Sequence, residues 1–325
     1  MTRKRLCDFL VASCVPEGGI YRFGLYENGE VEQLQKLPMP EPMYFWQSRD
    51  RLWVVLNAPF DESRDSGLAA YDLKSGDRLT DVICTRGDGG CHLAIDGENA
   101  YVANYDGGSL FALPDTFVQH IGNGPNPDRQ ASAHPHAVFF SPDKQYVLVC
   151  DLGLDTIFVY DRDLHEVSRA KVPDGAGPRH LTFSRDGRYV YCLNELSATV
   201  SVFAYGDGRL TYLNSAVISP DLACGQGKGA AIKLSRDGRY LYATERELNI
   251  IAVFEVHGER LKLIERFDSH GAGPRDFALV GNEAFAISTN QLANCMAIYK
   301  REKDGRLVYL SSVSIPAPLC VEECT

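Results

Sequence analysis

Two copies of the pentapeptide Gly-Ala-Gly-Pro-Arg, at residues 175–179 and 271–275, each end in an arginine and open an apolar stretch. A guanidinium group binds anions through a planar fork of N–H donors. A second motif, His134-Pro-His136, supplies imidazoles that can exchange protons near neutral pH, and Glu195 of Asn-Glu-Leu supplies a carboxylate. Arginine, histidine and glutamate in one pocket would bind an anionic small molecule and transfer a proton.

These residues lie far apart along the chain, so a repeating architecture must bring them together. The segment Ser-Arg-Asp-Gly-Arg-Tyr also occurs twice, at residues 184–189 and 235–240, and joins two short runs of alternating apolar residues each time. A repeat of roughly 45 residues is typical of β-propeller blades. We term the residue that starts each innermost strand an anchor. The anchors are Met43, Cys91, His136, Arg179, Ala230, Arg275 and Leu319.

The pattern around the anchors predicts an all-β, seven-bladed propeller that occupies residues 1–325 as a single domain. Each anchor before the last is followed by alternating apolar runs and polar turns, which indicate strands. The last anchor is followed by one strand only, whereas residues 6–15, 20–26 and 32–37 form three predicted strands ahead of the first anchor. We therefore expect the C-terminal strand to complete a blade begun at the N-terminus, because ring closure buries both faces of every blade.

Composition limits the partners and the location. The net charge is −10 and the basic residues are scattered, which argues against binding to nucleic acid. No apolar run is long enough to span a bilayer, and Asp8 interrupts the only segment that resembles a signal peptide. We expect a cytoplasmic protein with no membrane partner, as a monomer or a weak homo-oligomer.

The ten cysteines fall mostly inside strand patterns, and we expect reduced thiols that pack in the core. A bond involving Cys320 or Cys324 near the C-terminus is left open. No spacing of cysteine and histidine demands a metal, and we expect neither metal nor cofactor. A divalent ion held by Glu195, Asp151 and Glu245 is left open as an alternative, although adjacent arginines would oppose it.

The propeller geometry predicts where the candidate site lies. The innermost strands start, and the second strands end, on the same face around a central channel, so polar residues at these positions converge. His136, Arg179, Glu195 and Arg275 lie at these positions and together could bind an anion and transfer a proton. The candidates for substrate binding, which lie beside the anchors or at the ends of second strands, are His92, Asn104, His134, Asp151, His180, Asn194, Glu245 and Arg246. Asn104, Asp151 and Asn194 have an alternative role as caps of turns.

Several motifs resemble the lactonase family of seven-bladed propellers, which includes cycloisomerase-2-type 6-phosphogluconolactonases and fungal carboxy-muconate-lactonising enzymes. They are Gly-Pro-Asn-Pro-Asp-Arg-Gln at 124–130, His-Pro-His-Ala-Val-Phe-Phe-Ser-Pro-Asp at 134–143, Gly-Pro-Arg-His-Leu at 177–181, Asn-Glu-Leu at 194–196 and Pro-Leu-Cys-Val at 318–321. The resemblance covers nearly the whole chain and is weakest over residues 1–86. It implies a site of one histidine, two arginines and one glutamate, which carry over to His136, Arg179, Arg275 and Glu195. The sequence departs from the family at Ala-Thr-Glu-Arg, residues 243–246, where Glu245 adds a carboxylate.

The resemblance implies a hydrolase that opens a sugar lactone, 6-phospho-D-glucono-1,5-lactone of the pentose phosphate pathway. Either Arg179 or Arg275 would stabilise the oxyanion, while the other would bind the phosphate with Arg246 and Lys228. Either His136 or Glu195 would be the general base. Two alternatives remain: a muconate-type lactonising cycloisomerase, and a non-catalytic propeller that serves as an interaction platform.

Overall fold

The computed structural model describes residues 3–48, 50–57 and 63–324. Within these ranges all regular secondary structure is β-strand, and the strands form seven four-stranded antiparallel sheets. The described residues thus contain no helix that could cross a membrane. The predicted all-β, seven-bladed propeller is confirmed.

The strands follow the chain blade by blade, from the channel outward. Three strands come first and belong to the closing blade: β1 (Arg5–Ser13), β2 (Gly19–Tyr26) and β3 (Val31–Pro38). The next three blades are β4 (Pro42–Ser48), β5 (Arg51–Leu56), β6 (Asp65–Asp72) and β7 (Ile83–Asp88); β8 (Gly90–Asp96), β9 (Asn99–Asn104), β10 (Ser109–Ala112) and β11 (Thr116–Gln119); and β12 (Pro135–Phe140), β13 (Val147–Asp151), β14 (Thr156–Tyr160) and β15 (Glu166–Lys171).

Three further blades and one final strand complete the ring. These blades are β16 (Pro178–Phe183), β17 (Tyr189–Asn194), β18 (Thr199–Gly206) and β19 (Arg209–Val217); β20 (Gly229–Leu234), β21 (Tyr240–Glu245), β22 (Ile250–His257) and β23 (Arg260–Asp268); and β24 (Pro274–Val280), β25 (Phe285–Asn290), β26 (Cys295–Arg301) and β27 (Leu307–Ser314). The final strand, β28 (Pro318–Glu323), pairs with β1, and Val321 lies opposite Val11. The C-terminal strand therefore completes the blade begun at the N-terminus, as predicted.

Each innermost strand has the same local design at its start. Its first residue is a proline or a glycine, and its second residue is an anchor. The pairing register shifts at this point in every blade; in β16, for example, Pro178 pairs with Asn194 and His180 with Leu193, so that Arg179 is the extra residue of a β-bulge. A bulge redirects a side chain out of the regular alternation of the strand. The anchors are therefore freed from the sheet and available to the channel.

The repeated Ser-Arg-Asp-Gly-Arg-Tyr segment forms the turn between the first and second strands. The Ser184 hydroxyl donates to Asp186 Oδ1 at 2.7 Å and accepts from the Tyr189 N–H at 2.9 Å. Gly187 has a φ of +70°, in the left-handed region that glycine adopts most easily. The Ser235 to Tyr240 copy repeats these bonds. This turn fixes the hairpin, and with it the register at the channel.

The core consists of apolar clusters between neighbouring blades rather than within one blade; in the described residues there are seven. Tyrosines at the third residue of three second strands also link each blade to the next. The Tyr101 hydroxyl donates to the Arg162 carbonyl, the Tyr191 hydroxyl to the Gly258 carbonyl and the Tyr242 hydroxyl to the Gly305 carbonyl. Blade packing thus holds the channel, and the site residues at its mouth, in a rigid ring.

Candidate functional site

A cavity of about 370 Å³ opens at the end of the channel where the innermost strands start. Its wall combines bulged anchors with residues that directly follow second strands, because antiparallel neighbours place these two positions at the same edge. The lining residues are Met43, Asn57, Gly89, Cys91, Tyr105, Asp106, Arg129, His136, Glu195, Lys228, Arg246 and Arg275. Below it, His136, Arg179 and Arg275 line a narrow throat of about 20 Å³.

In each of the two pentapeptides a turn positions the arginine, and a side-chain oxygen accepts a hydrogen bond from a backbone N–H of that turn. Gly177 has a φ of +66° and donates its N–H to Asp155 Oδ1 at 2.8 Å; Gly273 has a φ of +73° and donates to Asn249 Oδ1 at 2.8 Å. A Cβ at Gly177 would lie 2.7 Å from Leu196 Cγ, so glycine is required there for space as well as for conformation. The proline that follows starts the strand, and the arginine comes next at the bulge.

Glu195 lies at the centre of a group of cations. Its Oε1 is 2.7 Å from Arg129 Nη2, and its Oε2 is 3.1 Å from Arg179 Nε and 3.0 Å from Arg246 Nη2. Burial alone would raise the pKa of this carboxyl, but the adjacent Arg246 and Arg179 outweigh burial and hold the pKa far below its usual range. Glu195 is therefore ionised and a weak proton acceptor.

Arg179 is buried and its donors are largely used by the protein. Nε binds Glu195, and Nη1 donates to the Ala230 carbonyl and to His180 Nε2, the latter at 3.2 Å. Burial, together with the charges of Arg275 and Arg246, lowers the pKa of Arg179 to about 9, so it stays charged at neutral pH. Arg179 is thus a fixed cation that holds Glu195 in place.

Arg275 differs from Arg179 because its guanidinium makes no hydrogen bond or ion pair with any described residue. Burial, and then the charge of Arg246, lowers its pKa to about 10, which leaves it protonated at neutral pH. It lines both the cavity and the throat. A buried cation with free donors favours an anionic ligand or a developing negative charge.

His136 is 5% exposed and its ring packs edge-on against Tyr105 at 5.3 Å. Nε2 lies 3.9 Å from Glu195 Oε2, a separation at which one water molecule can hydrogen-bond to both atoms. Nδ1 is enclosed and has no hydrogen-bond partner in the described part of the chain. Burial, and then the charge of Arg179, lowers the pKa of His136 well below its usual value. The imidazole is therefore neutral and able to accept a proton.

The exposure of the cationic side chains around the cavity decreases from the rim to the throat. The Lys228 side chain is 52% exposed and its Nζ pairs with Glu247, whereas the Arg129 side chain is 37% exposed. The Arg246 side chain is 14% exposed and that of Arg179 only 3%. Cations exceed carboxylates among the described lining residues, so the cavity attracts anions.

The predicted site residues divide into those that meet at this cavity and those that do not. His136, Arg179, Glu195, Arg246 and Arg275 are brought together, and Lys228 lies at their rim.

Two predicted histidines lie next to the cavity rather than in its wall. His134 stacks on Tyr105 at 4.4 Å, with Nδ1 2.9 Å from the Tyr105 carbonyl, so it supports the rim. His180 lies in the throat beside Arg179. His92 lines a different cavity at the other end of the channel.

Four predicted binding residues instead make bonds within their own blade, to a neighbouring blade or to the adjoining loops. Asn104 Nδ2 donates to the Thr85 carbonyl, and Asn194 Nδ2 donates to Thr199 and Ser201 hydroxyls. Asp151 binds His120 and accepts the His134 and Leu154 N–H groups; Glu245 accepts those of Lys228 and Leu248. All four are the last residues of second strands. The residue after the strand reaches the cavity, as Glu195 and Arg246 do.

Arg129 and Tyr105 were not predicted as site residues, although both line the cavity. Asn126 Oδ1 accepts the Arg129 N–H at 3.1 Å and fixes the loop, and Arg129 Nη2 lies 3.4 Å from the Tyr105 hydroxyl. The signal available in the sequence was the position of Arg129 within the Gly-Pro-Asn-Pro-Asp-Arg-Gln motif.

The cysteines and acidic residues add no further group to the site. Cys320 and Cys324 are both free thiols, so no disulfide joins them. Among the described residues, no cluster of three or more histidine, cysteine, aspartate or glutamate side chains is placed to hold a metal ion.

Comparison with known proteins places this chain in a family. The family model described as lactonase, 7-bladed beta-propeller, matches residues 9–323. The chain belongs to this family. A relative of this lactonase-family propeller, the 6-phosphogluconolactonase of Bacillus subtilis strain 168, is 32% identical over 330 residues, which cover 94% of both chains. The solved structure of a periplasmic gluconolactonase from Pseudomonas aeruginosa has a TM-score of 0.89 and 29% identity, and the match covers 98% of this chain and 99% of that one.

Other relatives of this lactonase-family propeller have no named activity. An uncharacterized protein of Staphylococcus epidermidis is 29% identical over 309 residues, covering 87% of this chain and 89% of the relative. The named relatives support a lactonase function for the chain, and they differ from one another in whether the name includes a phosphate.

Proposed function

We propose that this protein hydrolyses 6-phospho-D-glucono-1,5-lactone to 6-phosphogluconate in the anchor-lined cavity. The observation that carries the proposal is the free guanidinium of Arg275 at the deep end of a cavity whose rim is also cationic. The name of the relative from Bacillus subtilis supports the same substrate.

Arg275 is assigned to the carbonyl oxygen of the lactone. Negative charge grows on this oxygen when water attacks the carbonyl carbon, and a preorganised donor there stabilises the transition state by about 3 kcal/mol. The donors of Arg179 are committed to Glu195, Ala230 and His180, whereas those of Arg275 are free among the described residues. This difference favours Arg275 as oxyanion stabiliser and Arg179 as the residue that positions Glu195.

His136 is assigned as general base. The neutral imidazole Nε2 takes a proton from the attacking water, which is oriented by Glu195 at 3.9 Å from Nε2. The resulting tetrahedral intermediate collapses, the bond between C1 and the ring oxygen breaks, and the imidazolium returns its proton to that oxygen. The products are a hydroxyl group and a carboxylic acid, which ionises to the carboxylate and releases its proton to solvent. Glu195 is the weaker candidate because its oxygens bind three arginines and its pKa is far below its usual range.

The phosphate is assigned to the rim. A phosphate dianion is strongly hydrated, so a partly exposed site costs less desolvation than the throat. Lys228, Arg129 and Arg246 supply charged donors there, and Lys228 and Arg129 remain in contact with solvent. With the phosphate at the rim, the lactone carbonyl points inward to Arg275 and His136.

The test is hydrolysis of freshly generated 6-phosphogluconolactone, corrected for its spontaneous opening, with unphosphorylated glucono-1,5-lactone measured in parallel. We expect a higher kcat/KM for the phosphorylated substrate, and Lys228→Met should raise the KM for that substrate only. Equal kcat/KM values for the two lactones would contradict the phosphate assignment alone. If neither lactone is hydrolysed faster than in buffer alone, the proposal is wrong, and muconolactones would then be the substrates to test.

A further inference from the structure

The channel has a second cavity at its opposite end, which we call the distal cavity. Its volume is about 360 Å³, within the range of about 300–1,000 Å³ seen for small-molecule sites. The catalytic candidates lie at the starts of the innermost strands, whereas Trp46, Phe140 and Glu322 of the distal cavity lie near the ends of β4, β12 and β28. The narrow throat around Arg179 separates the two cavities.

Aromatic side chains form much of the distal wall. Tyr44 stacks on His92 with ring centroids 4.2 Å apart, and Phe139 contacts the same imidazole at 4.8 Å. Trp46 and Phe140 also line the cavity. Flat aromatic walls of this kind favour a flat apolar group, which they contact by offset or edge-to-face packing.

A buried imidazole in the wall of this cavity carries a donor without a partner. His92 is 3% exposed, and its Nδ1 accepts the Val138 N–H at 3.4 Å, so the proton of the neutral ring lies on Nε2. Burial, and then the charges of Lys233 and Arg179, lowers the pKa of His92 well below its usual value, which keeps the ring neutral. In the described part of the chain, Nε2 is enclosed and has no hydrogen-bond partner. A ligand acceptor would remove the cost of that unpaired donor.

Lys233 supplies a cation beside this donor. It has no ion pair within 4.0 Å among the described residues, whereas Lys144 on the same wall is paired with Asp96 at 2.9 Å. Burial opposes the charge of Lys233, but Asp276 and Glu322 outweigh it and raise the pKa. Both Asp276 oxygens accept backbone N–H bonds. Burial raises the pKa of Glu322 to about 7, so this carboxyl opposes an anion only weakly near neutral pH.

We propose that the distal cavity binds a small aromatic carboxylate. The aromatic ring lies between Tyr44, Trp46 and Phe139, and the carboxylate accepts a hydrogen bond from the Lys233 ammonium. A small rotation of the His92 ring would bring its enclosed Nε2–H to the same carboxylate. This site is separate from the catalytic cavity, and the inference does not depend on the lactonase activity.

The test uses phenylacetate as probe and 2-phenylethanol as its uncharged match, with tryptophan fluorescence as the readout. The chain has two tryptophans, and Trp53 is buried in the core, so Trp46 reports on the distal cavity. We expect saturable quenching by phenylacetate that disappears in Trp46→Phe. Lys233→Met should weaken phenylacetate binding by about tenfold or more and leave 2-phenylethanol binding unchanged, because only the carboxylate forms a charge-assisted bond.

Two further variants keep the test decisive if Lys233→Met folds poorly. Because the pKa of Glu322 is about 7, its carboxyl is ionised at about pH 8.5, and at that pH Glu322→Gln should tighten phenylacetate binding without changing that of 2-phenylethanol. Arg275→Ala alters the catalytic cavity and the throat but no residue of the distal wall, and it should leave the Trp46 quenching curve unchanged. The proposal is overturned if wild type shows no saturable quenching, if Glu322→Gln leaves phenylacetate affinity unaltered, or if the quenching is lost in Arg275→Ala.

Discussion

Replacing Glu195 with glutamine should leave Arg129, Arg179 and Arg246 together without the carboxylate that now neutralises part of their charge. The substitution keeps the shape of the side chain and one carbonyl oxygen. Because Glu195 is 3% exposed, water cannot screen the arginines as it would at the surface. The variant should therefore be less stable than wild type and less active.

The magnitude follows from the burial and the number of partners. Breaking a buried charge pair by removal of one partner costs about 3–5 kcal/mol. For a chain of 325 residues this corresponds to a fall in Tm of about 5 °C. The matched control is Glu166→Gln, which removes a carboxylate that binds Arg169 at an exposed position. That surface pair should contribute no more than about 1 kcal/mol.

The assay is thermal unfolding by calorimetry in phosphate-free buffer and again with inorganic phosphate. Phosphate should bind the uncompensated arginines of Glu195→Gln and raise its Tm more than that of wild type, because a ligand of the native state stabilises it by mass action. A variant that unfolds at the wild-type temperature without phosphate would refute the reasoning. So would an equal response of both proteins to phosphate.

Three other predictions concern single residues. Arg275→Ala should lower kcat/KM for the lactone by about 10²–10³-fold, measured against Arg185→Ala, an exposed arginine whose loss should have no effect. The acid limb of the rate should be centred well below pH 6.5, because the depressed pKa of His136 keeps the base neutral there; an acid limb centred at or above pH 6.5 would contradict this role. Tyr191→Phe should cost about 1 kcal/mol in urea unfolding through loss of the bond to Gly258, and an unchanged midpoint would show that the bond contributes nothing.

The fold was predictable because turn motifs that recur along the sequence reveal the length of one blade. The anchors identify the second residue of every innermost strand. Three of them, His136, Arg179 and Arg275, could be placed in one cavity from the sequence because closure of the ring requires the strand starts to converge. No packing detail was needed for that inference.

The residues at the ends of the second strands were predicted only in part, because a displacement of one residue reverses the side chain. Side chains alternate across a strand, so Asn194 bonds within its blade while Glu195 enters the cavity. Sequence alone does not fix where the strand ends to within one residue. Arg129 was missed for another reason: it comes from a loop and occupies no position of the repeat.

The bulge at the start of each innermost strand also bears on how such a protein can acquire new specificity. The anchors Ala230 and Leu319 are outside the regular ladder of their sheets and belong to none of the clusters between blades, so their exchange leaves both the ladder and the clusters intact. Ala230 and Leu319 occupy this position with side chains that carry no polar group. The residues that hold the blades together are therefore distinct from the anchor side chains that face the channel. These two positions are the natural starting points for a library of variants that act on other lactones.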